Sequence, residues 1–205
     1  MINKKIEVVL GSGSKRRQDI LKSLGISFRI DIPDIEEVSN QLDSRLICED
    51  IARKKLEHIN RRIEAENILS ITGDTIVCLD DKIYGKPKSR QDAISTLKSL
   101  SGKTHHVITS IGIGFSKSEI QVVNSEITEV TFFNLDENSI NHYLDHQTYM
   151  DKAGAYAIQD PNCYFVSKIN GSLTNVIGLP IELLDVSLKK IFTQKYGRDD
   201  WKSFI

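Results

Sequence analysis

The sequence predicts a mixed α/β fold of the α+β kind, organised as a single domain over residues 1–205. Three observations predict it. Short β-branched runs recur between segments of helical periodicity. Two long strand-like runs, 105–115 and 120–133, follow one another directly, which a simple doubly wound sheet does not do. No repeat, low-complexity tract or linker divides the chain, and only a weak division near Gly102 marks where the pattern turns β-rich.

The elements follow in order. "IEVVL" (Ile6–Leu10) reads as a first strand, and Ser14–Leu24 as a helix whose Ile20, Leu21 and Leu24 share a face until Gly25 stops it. "ISFRIDI" alternates like a second strand, and Ser44–Asn67 is a long amphipathic helix. "ILSITGDTIVCL" is a strand that runs through Asp74 to a hairpin turn at Asp80-Asp81. Ser89–Leu100 is a helix closed by Ser101-Gly102. "HHVITSIGIGF" and "IQVVNSEITEVTFF" are strands joined by a polar turn at Ser116–Glu119, and Leu135–His146 is a helix. "CYFVSKI" and "LTNVIG" look like a last hairpin, and Pro180–Phe192 a helix with Pro at its start.

Bulk properties narrow the function. With 27 basic and 28 acidic residues the net charge is -1, which gives no support to a nucleic-acid or membrane surface. No apolar run reaches the roughly 20 residues of a membrane span, and "MINKKIEVVL" is charged too early for a secretory signal. Cys48, Cys78 and Cys163 lack zinc spacing and read as reduced, mostly buried thiols. A cytoplasmic location is the default. His105 and His106 are adjacent in a strand and point to opposite faces, so one is expected packed and one exposed.

Several charges stand where a bland helix or strand would not put them. "LGSGSKRRQDIL" opens a helix with small residues and then places Arg16 and Arg17 in its first turn, at the positive end of the dipole. Backbone N–H groups, the Ser12 and Ser14 hydroxyls and two guanidinium groups would suit a phosphate there; the alternative is a Ser14 cap with solvated arginines. Lys55 falls in the stripe Ile47, Ile51, Lys55, Ile59, Ile63, so it either snorkels or aims at an anion. Asp74, flanked by Ile71, Ile76 and Val77, is either solvated at a bulge or turn, or a metal ligand or general base. Beside it, Gly73 allows a kink or a close approach. Lys86 in "YGKPK", the "MDKAGAYAIQD" loop and "GSLTNVIGLP" each read singly as structural.

Taken together these stretches resemble the Maf family of nucleoside triphosphate pyrophosphatases, named for a septum-formation phenotype. The S-x-S-x-R-R motif is matched by Ser12, Ser14, Arg16 and Arg17, the acidic position after the second strand by Glu37 in "DIEE", and A-x-x-K by Ala52 and Lys55. "GDTIV", "GKP", "LSGKTHHV", "DKAGAYAIQ" and "NVIGLP" match further motifs in order. Gly11, Lys15 and Gly73 depart from the usual Ala, Pro and Ala without removing a functional side chain.

The resemblance implies an ITPase-like Maf/Ham1 fold with a central cleft, and hydrolysis of a nucleoside triphosphate to the monophosphate and pyrophosphate. It implies Asp74 as proton acceptor, and Glu37 and Asp74 as ligands of Mg²⁺ or Mn²⁺. Ser12, Ser14, Arg16, Arg17, Lys55, Thr75, Lys86 and Gln159 would contact substrate, with Arg16, Thr75 and Gln159 setting specificity. The Ile158-Gln159 ending goes in that family with dTTP and UTP; a purine or modified base such as ITP or 7-methyl-GTP is the sibling expectation. A homodimer is common in such folds. A nucleotide-binding regulator of cell division is the expectation from a different class, and nucleic-acid binding through Arg16 and Arg17 has no basic stripe to support it.

Overall fold

The computed structural model describes residues 5–205. The expectation about a secretory signal rests partly on residues 1–4, which lie outside them. The chain is mixed α/β, as expected. Its strands are β1 (Val8–Gly11), β2 (Arg29–Ile30), β3 (Leu69–Leu79), β4 (Lys82–Tyr84), β5 (Thr104–Phe115), β6 (Gln121–Phe132) and β7 (Val166–Asn170). Its helices are α1 (Lys15–Ser23), α2 (Ser44–Arg62), α3 (Arg90–Leu100), α4 (Glu137–His146), α5 (Leu173–Ile177) and α6 (Ile181–Tyr196). The strands form one seven-stranded sheet in the order β2-β1-β3-β5-β6-β7, with β4 on β3. β1 is parallel to β2 and β3, whereas β3–β4 and β6–β7 are antiparallel, so the sheet is mixed. Among the described residues no helix is long and apolar enough to cross a membrane.

The chain divides into two compact units. The first runs to Asp74 and adds Ser110–Ser125 and Gly178–Ile205; the second comprises Thr75–Thr109 and Glu126–Ile177. The backbone passes from one to the other inside β3, β5 and β6, and once more between α5 and α6 at Ile177/Gly178.

In the first unit β1 is buried at every position, as suits a strand with parallel neighbours on both sides. Val9, Ile59, Ile63 and Ile68 pack as one cluster. That explains why α2 ends at Arg62 and not at Asn67: Ile63 is already extended, with φ -87° and ψ 116°, yet stays buried in this cluster. α6 continues past Phe192 to Tyr196, where Gly197 with φ 68° stops it, and Pro180 stands at its N-cap. α2 lies close to the sheet at Gly112. A Cβ there would fall 2.7 Å from Thr72 Oγ1 and 3.2 Å from the Ala52 carbonyl oxygen, and Thr72 Oγ1 donates to that same carbonyl at 2.9 Å. Gly112→Ala is therefore expected to destabilise the protein by about 1–3 kcal/mol through overpacking. A urea midpoint equal to wild type would show that α2 can move away without cost.

The second unit is built round an aromatic core that includes Phe132, Tyr143, Tyr156 and Phe165. The β3–β4 hairpin turns at Asp80, whose φ is 53°, where expected. Ser89 caps α3 by accepting the Asp92 N–H at 3.1 Å. His105 is fully buried among the Phe132 and Tyr156 rings, and burial lowers its pKa to about 4. His106 is half-buried, 3.8 Å from Glu129, with its side chain 45% exposed, so the two rings do differ in burial as expected, though the second is only partly exposed.

The expected last hairpin is not formed. β7 is a strand, but residues 173–177 are the short helix α5. The Val, Ile and Thr of "LTNVI" favour a strand, but one local side-chain bond and three to distant residues override that preference. Ser172 Oγ accepts the Asn175 N–H at 3.2 Å. The Asn175 side chain is fully buried and is held by Thr109 N–H, the Val107 carbonyl and Thr128 Oγ1.

Candidate active site

In the first unit, β1 delivers the chain to Ser12 and α1 starts at Lys15. Ser14 occupies the N-cap position with φ -66° and ψ 115°, but its side chain makes no capping hydrogen bond, and the first turn holds no acidic residue. No side chain of the first turn therefore brings a negative charge to the positive end of α1. Ser12 Oγ accepts both the Ser14 N–H at 3.2 Å and Arg17 Nη1 at 3.0 Å. Arg17 is buried, and its Nε donates to the Gly178 carbonyl at 2.8 Å. Burial lowers its pKa, opposed chiefly by the charge of Asp74. The alternative of solvated arginines therefore fails for Arg17, while Arg16 and Ser14 are half-buried.

Lys55 and Asp74 form the unit's most heavily charged interior point. Lys55 Nζ stands 2.8 Å from Asp74 Oδ1 and 2.7 Å from Glu37 Oε1. The Lys55 and Asp74 side chains are 8% and 10% exposed, Glu37 45%. Lys55 does not snorkel, and Asp74 is neither at a turn nor solvated: it sits inside the eleven-residue β3. Gly73 proves to be a place of close approach. A Cβ there would lie 3.2 Å from Arg17 Nε and 3.1 Å from the Ser110 carbonyl oxygen, so the glycine lets the guanidinium come up beside Asp74.

Sequence reasoning missed Cys48. It lies seven residues before Lys55 on the same face of α2, where its local pattern is that of any packed apolar residue. Its Sγ is 3.9 Å from Asp74 Oδ2. Burial, then the Asp74 charge, push the thiol up to about 12, so it stays protonated and acts as a weak donor. Both Asp74 oxygens are thereby engaged.

Glu37 and Asp74 also fit a divalent cation. Two carboxylate oxygens already converge on one positive nitrogen, within 2.7 and 2.8 Å, and hard oxygen donors of this kind suit Mg²⁺ or Mn²⁺. Among the described residues no group of three or more His, Cys, Asp or Glu side chains is placed to hold a metal ion. A pair of carboxylates is the usual protein share where waters and substrate phosphates complete an Mg²⁺ shell.

The other expected site residues lie in the second unit. Thr75 Oγ1 is 3.0 Å from Thr109 Oγ1, which donates to the Asn175 carbonyl at 2.9 Å. Asn175 is thus a second residue that sequence reasoning missed as an anchor; its sign was an amide inside an apolar motif. Lys86 is exposed in the β4–α3 loop, which the Gly154 N–H ties down by donating to the Gly85 carbonyl at 3.2 Å. Gln159 is exposed at the corner of the turn Ala157–Asp160, closed by the Asp160 N–H donating to the Ala157 carbonyl at 3.1 Å. In the same loop Lys152 is buried and donates to Thr148 and to Asp151.

A family model described as Maf-like protein matches residues 7–191, and the chain belongs to that family. A protein of Fusobacterium nucleatum called dTTP/UTP pyrophosphatase is 44% identical over 184 residues, 90% of this chain and 95% of that one. Proteins with the same name from Bacteroides fragilis and Alkaliphilus oremlandii are 42% and 39% identical, each covering 90% or more of this chain and 96% of the relative. Among solved structures, the Staphylococcus aureus Ham1 protein aligns with a TM-score of 0.45 and 15% identity over 62% of this chain and 71% of that one.

Proposed function

We propose that this chain is a nucleoside triphosphate pyrophosphatase that converts dTTP and UTP to the monophosphate and pyrophosphate. The observation that carries the reading is the convergence of Glu37 and Asp74 on one cationic point, with the Arg17 guanidinium beside Asp74. The names of relatives up to 44% identical supply the substrate class.

The start of α1, with Ser12, Ser14, Arg16 and Arg17, binds phosphate oxygens of the incoming triphosphate. The opening oddity of arginines at a positive helix end is then resolved, because the substrate's charge offsets theirs. Asp74 accepts the proton of the water that attacks the α-phosphorus; the α–β anhydride bond breaks and pyrophosphate leaves. Lys55 fixes one Asp74 oxygen and Cys48 the other, which holds the base in a single orientation. Glu37 and Asp74 would hold Mg²⁺ or Mn²⁺, which neutralises phosphate charge and lowers the pKa of bound water. Phosphoryl chemistry asks mainly for such positioning and electrostatics.

Gln159 offers one donor and one acceptor to the O4/N3–H edge of uracil or thymine. Losing one such hydrogen bond costs about 1 kcal/mol, so Gln159→Ala is expected to lower the UTP preference over CTP and ATP about 5- to 10-fold. Ratios of kcat/KM measure it, and an unchanged ratio would remove Gln159 from base reading. Faster release from ITP or 7-methyl-GTP than from UTP would keep the chemistry and move the enzyme to a purine. The three free thiols and a free-nucleotide substrate support a cytoplasmic place of action.

A further inference from the structure

We propose that Tyr143 is a positioning residue for base selection, because its hydroxyl grips both ends of the turn that carries Gln159. The inference rests on the reading of Gln159 as the base-reading side chain.

Tyr143 projects from α4 and is fully buried. A buried phenol needs a partner for its hydroxyl, and this one spends both its bonds on a single turn. Its oxygen accepts the Ala157 N–H at 3.0 Å and donates to Asp160 Oδ2 at 2.7 Å. Ala157 and Asp160 are the first and last residues of the turn, so Ile158 and Gln159 are the only two residues between the anchors. The flanks are held as well. Tyr156 Oη lies 2.8 Å from His105 Nε2, and the Cys163 N–H donates to the Asp160 carbonyl at 2.9 Å. The Tyr143 ring itself packs on Phe165 at 4.9 Å between centroids. Phenylalanine would keep that packing, so the hydroxyl is the part that packing alone does not require. A glutamine on an exposed turn discriminates between bases only if its backbone is fixed before the base arrives; otherwise ordering it on binding cancels the gain.

The test uses the full chain as wild type, Tyr143→Phe, Asp160→Ala, Gln159→Ala and the double variant Tyr143→Phe/Gln159→Ala. Asp160→Ala removes one anchor and leaves the aromatic core intact, so it decides the matter alone if Tyr143→Phe does not fold. KM and kcat are measured for UTP and CTP. The expected result is a rise of about 5-fold in KM for UTP in Tyr143→Phe and Asp160→Ala with kcat nearly unchanged, and a matching fall in the UTP/CTP ratio of kcat/KM. The double variant should match Gln159→Ala, because the two residues act as one unit. An unchanged ratio in Tyr143→Phe and Asp160→Ala, alongside a changed ratio in Gln159→Ala, overturns the positioning role and leaves the base-reading intact. An unchanged ratio in Gln159→Ala overturns both.

Discussion

Asp74→Asn is expected to lose pyrophosphate release by about 10²- to 10⁴-fold, the usual contribution of a positioned base, while keeping its fold. The side chain keeps its size, and an amide oxygen can still accept from Lys55 Nζ, now 2.8 Å from Asp74 Oδ1. What disappears is the negative charge and the capacity to take a proton from water. The charge balance suffers too, since Lys55 keeps only Glu37, which is 45% exposed, and Arg17 loses the carboxylate beside it. Stability should therefore fall, by about 1–3 kcal/mol, measurable as a lower thermal midpoint with an unchanged circular dichroism spectrum. Near-wild-type turnover in a folded Asp74→Asn chain would remove Asp74 as the proton acceptor.

Lys55→Met should show the largest loss of stability. It leaves the buried Asp74 carboxylate without its ammonium partner. Removing one member of a buried pair costs about 3–5 kcal/mol; the figure here belongs near 3 kcal/mol, because Arg17 remains near Asp74 and Glu37 is half in water. The variant offers a second readout. A divalent cation can take the point that the ammonium occupies between the two carboxylates, so Mg²⁺ or Mn²⁺ should raise the midpoint of Lys55→Met more than that of wild type. An equal rise in both would show that Glu37 and Asp74 do not hold the metal. An unchanged midpoint in the variant would show that the pair adds no net stability.

Much of this arrangement was legible in the sequence because a charge inside an apolar pattern demands a partner. Lys55 in a stripe of isoleucines and Asp74 between β-branched residues each declared a burial that the structure shows, and their partner proved to be each other. Arg17 in the first turn of α1 declared itself in the same way. Three features were not legible. Cys48 looks like any small apolar residue on a helix, and only the fold brings its sulfur to Asp74. The helix at 173–177 is held by bonds from Asn175 to residues 66 to 68 positions earlier in the chain and 47 positions earlier at Thr128, which no local preference can report. Three of the four boundaries between the two compact units fall inside continuous strands, one of them between Asp74 and Thr75, where neither composition nor a linker marks it. The weak change of pattern near Gly102 does not coincide with it.

The central claim is that this chain splits nucleoside triphosphates using Asp74. The direct measurement is pyrophosphate release from UTP, dTTP, CTP, ATP and ITP, with Mg²⁺ or Mn²⁺ and without metal, for the wild-type chain beside Asp74→Asn. The expected result is metal-dependent release, fastest from UTP and dTTP, that is lost in the variant. A folded wild-type chain that releases no pyrophosphate from any of these triphosphates with either metal would contradict it.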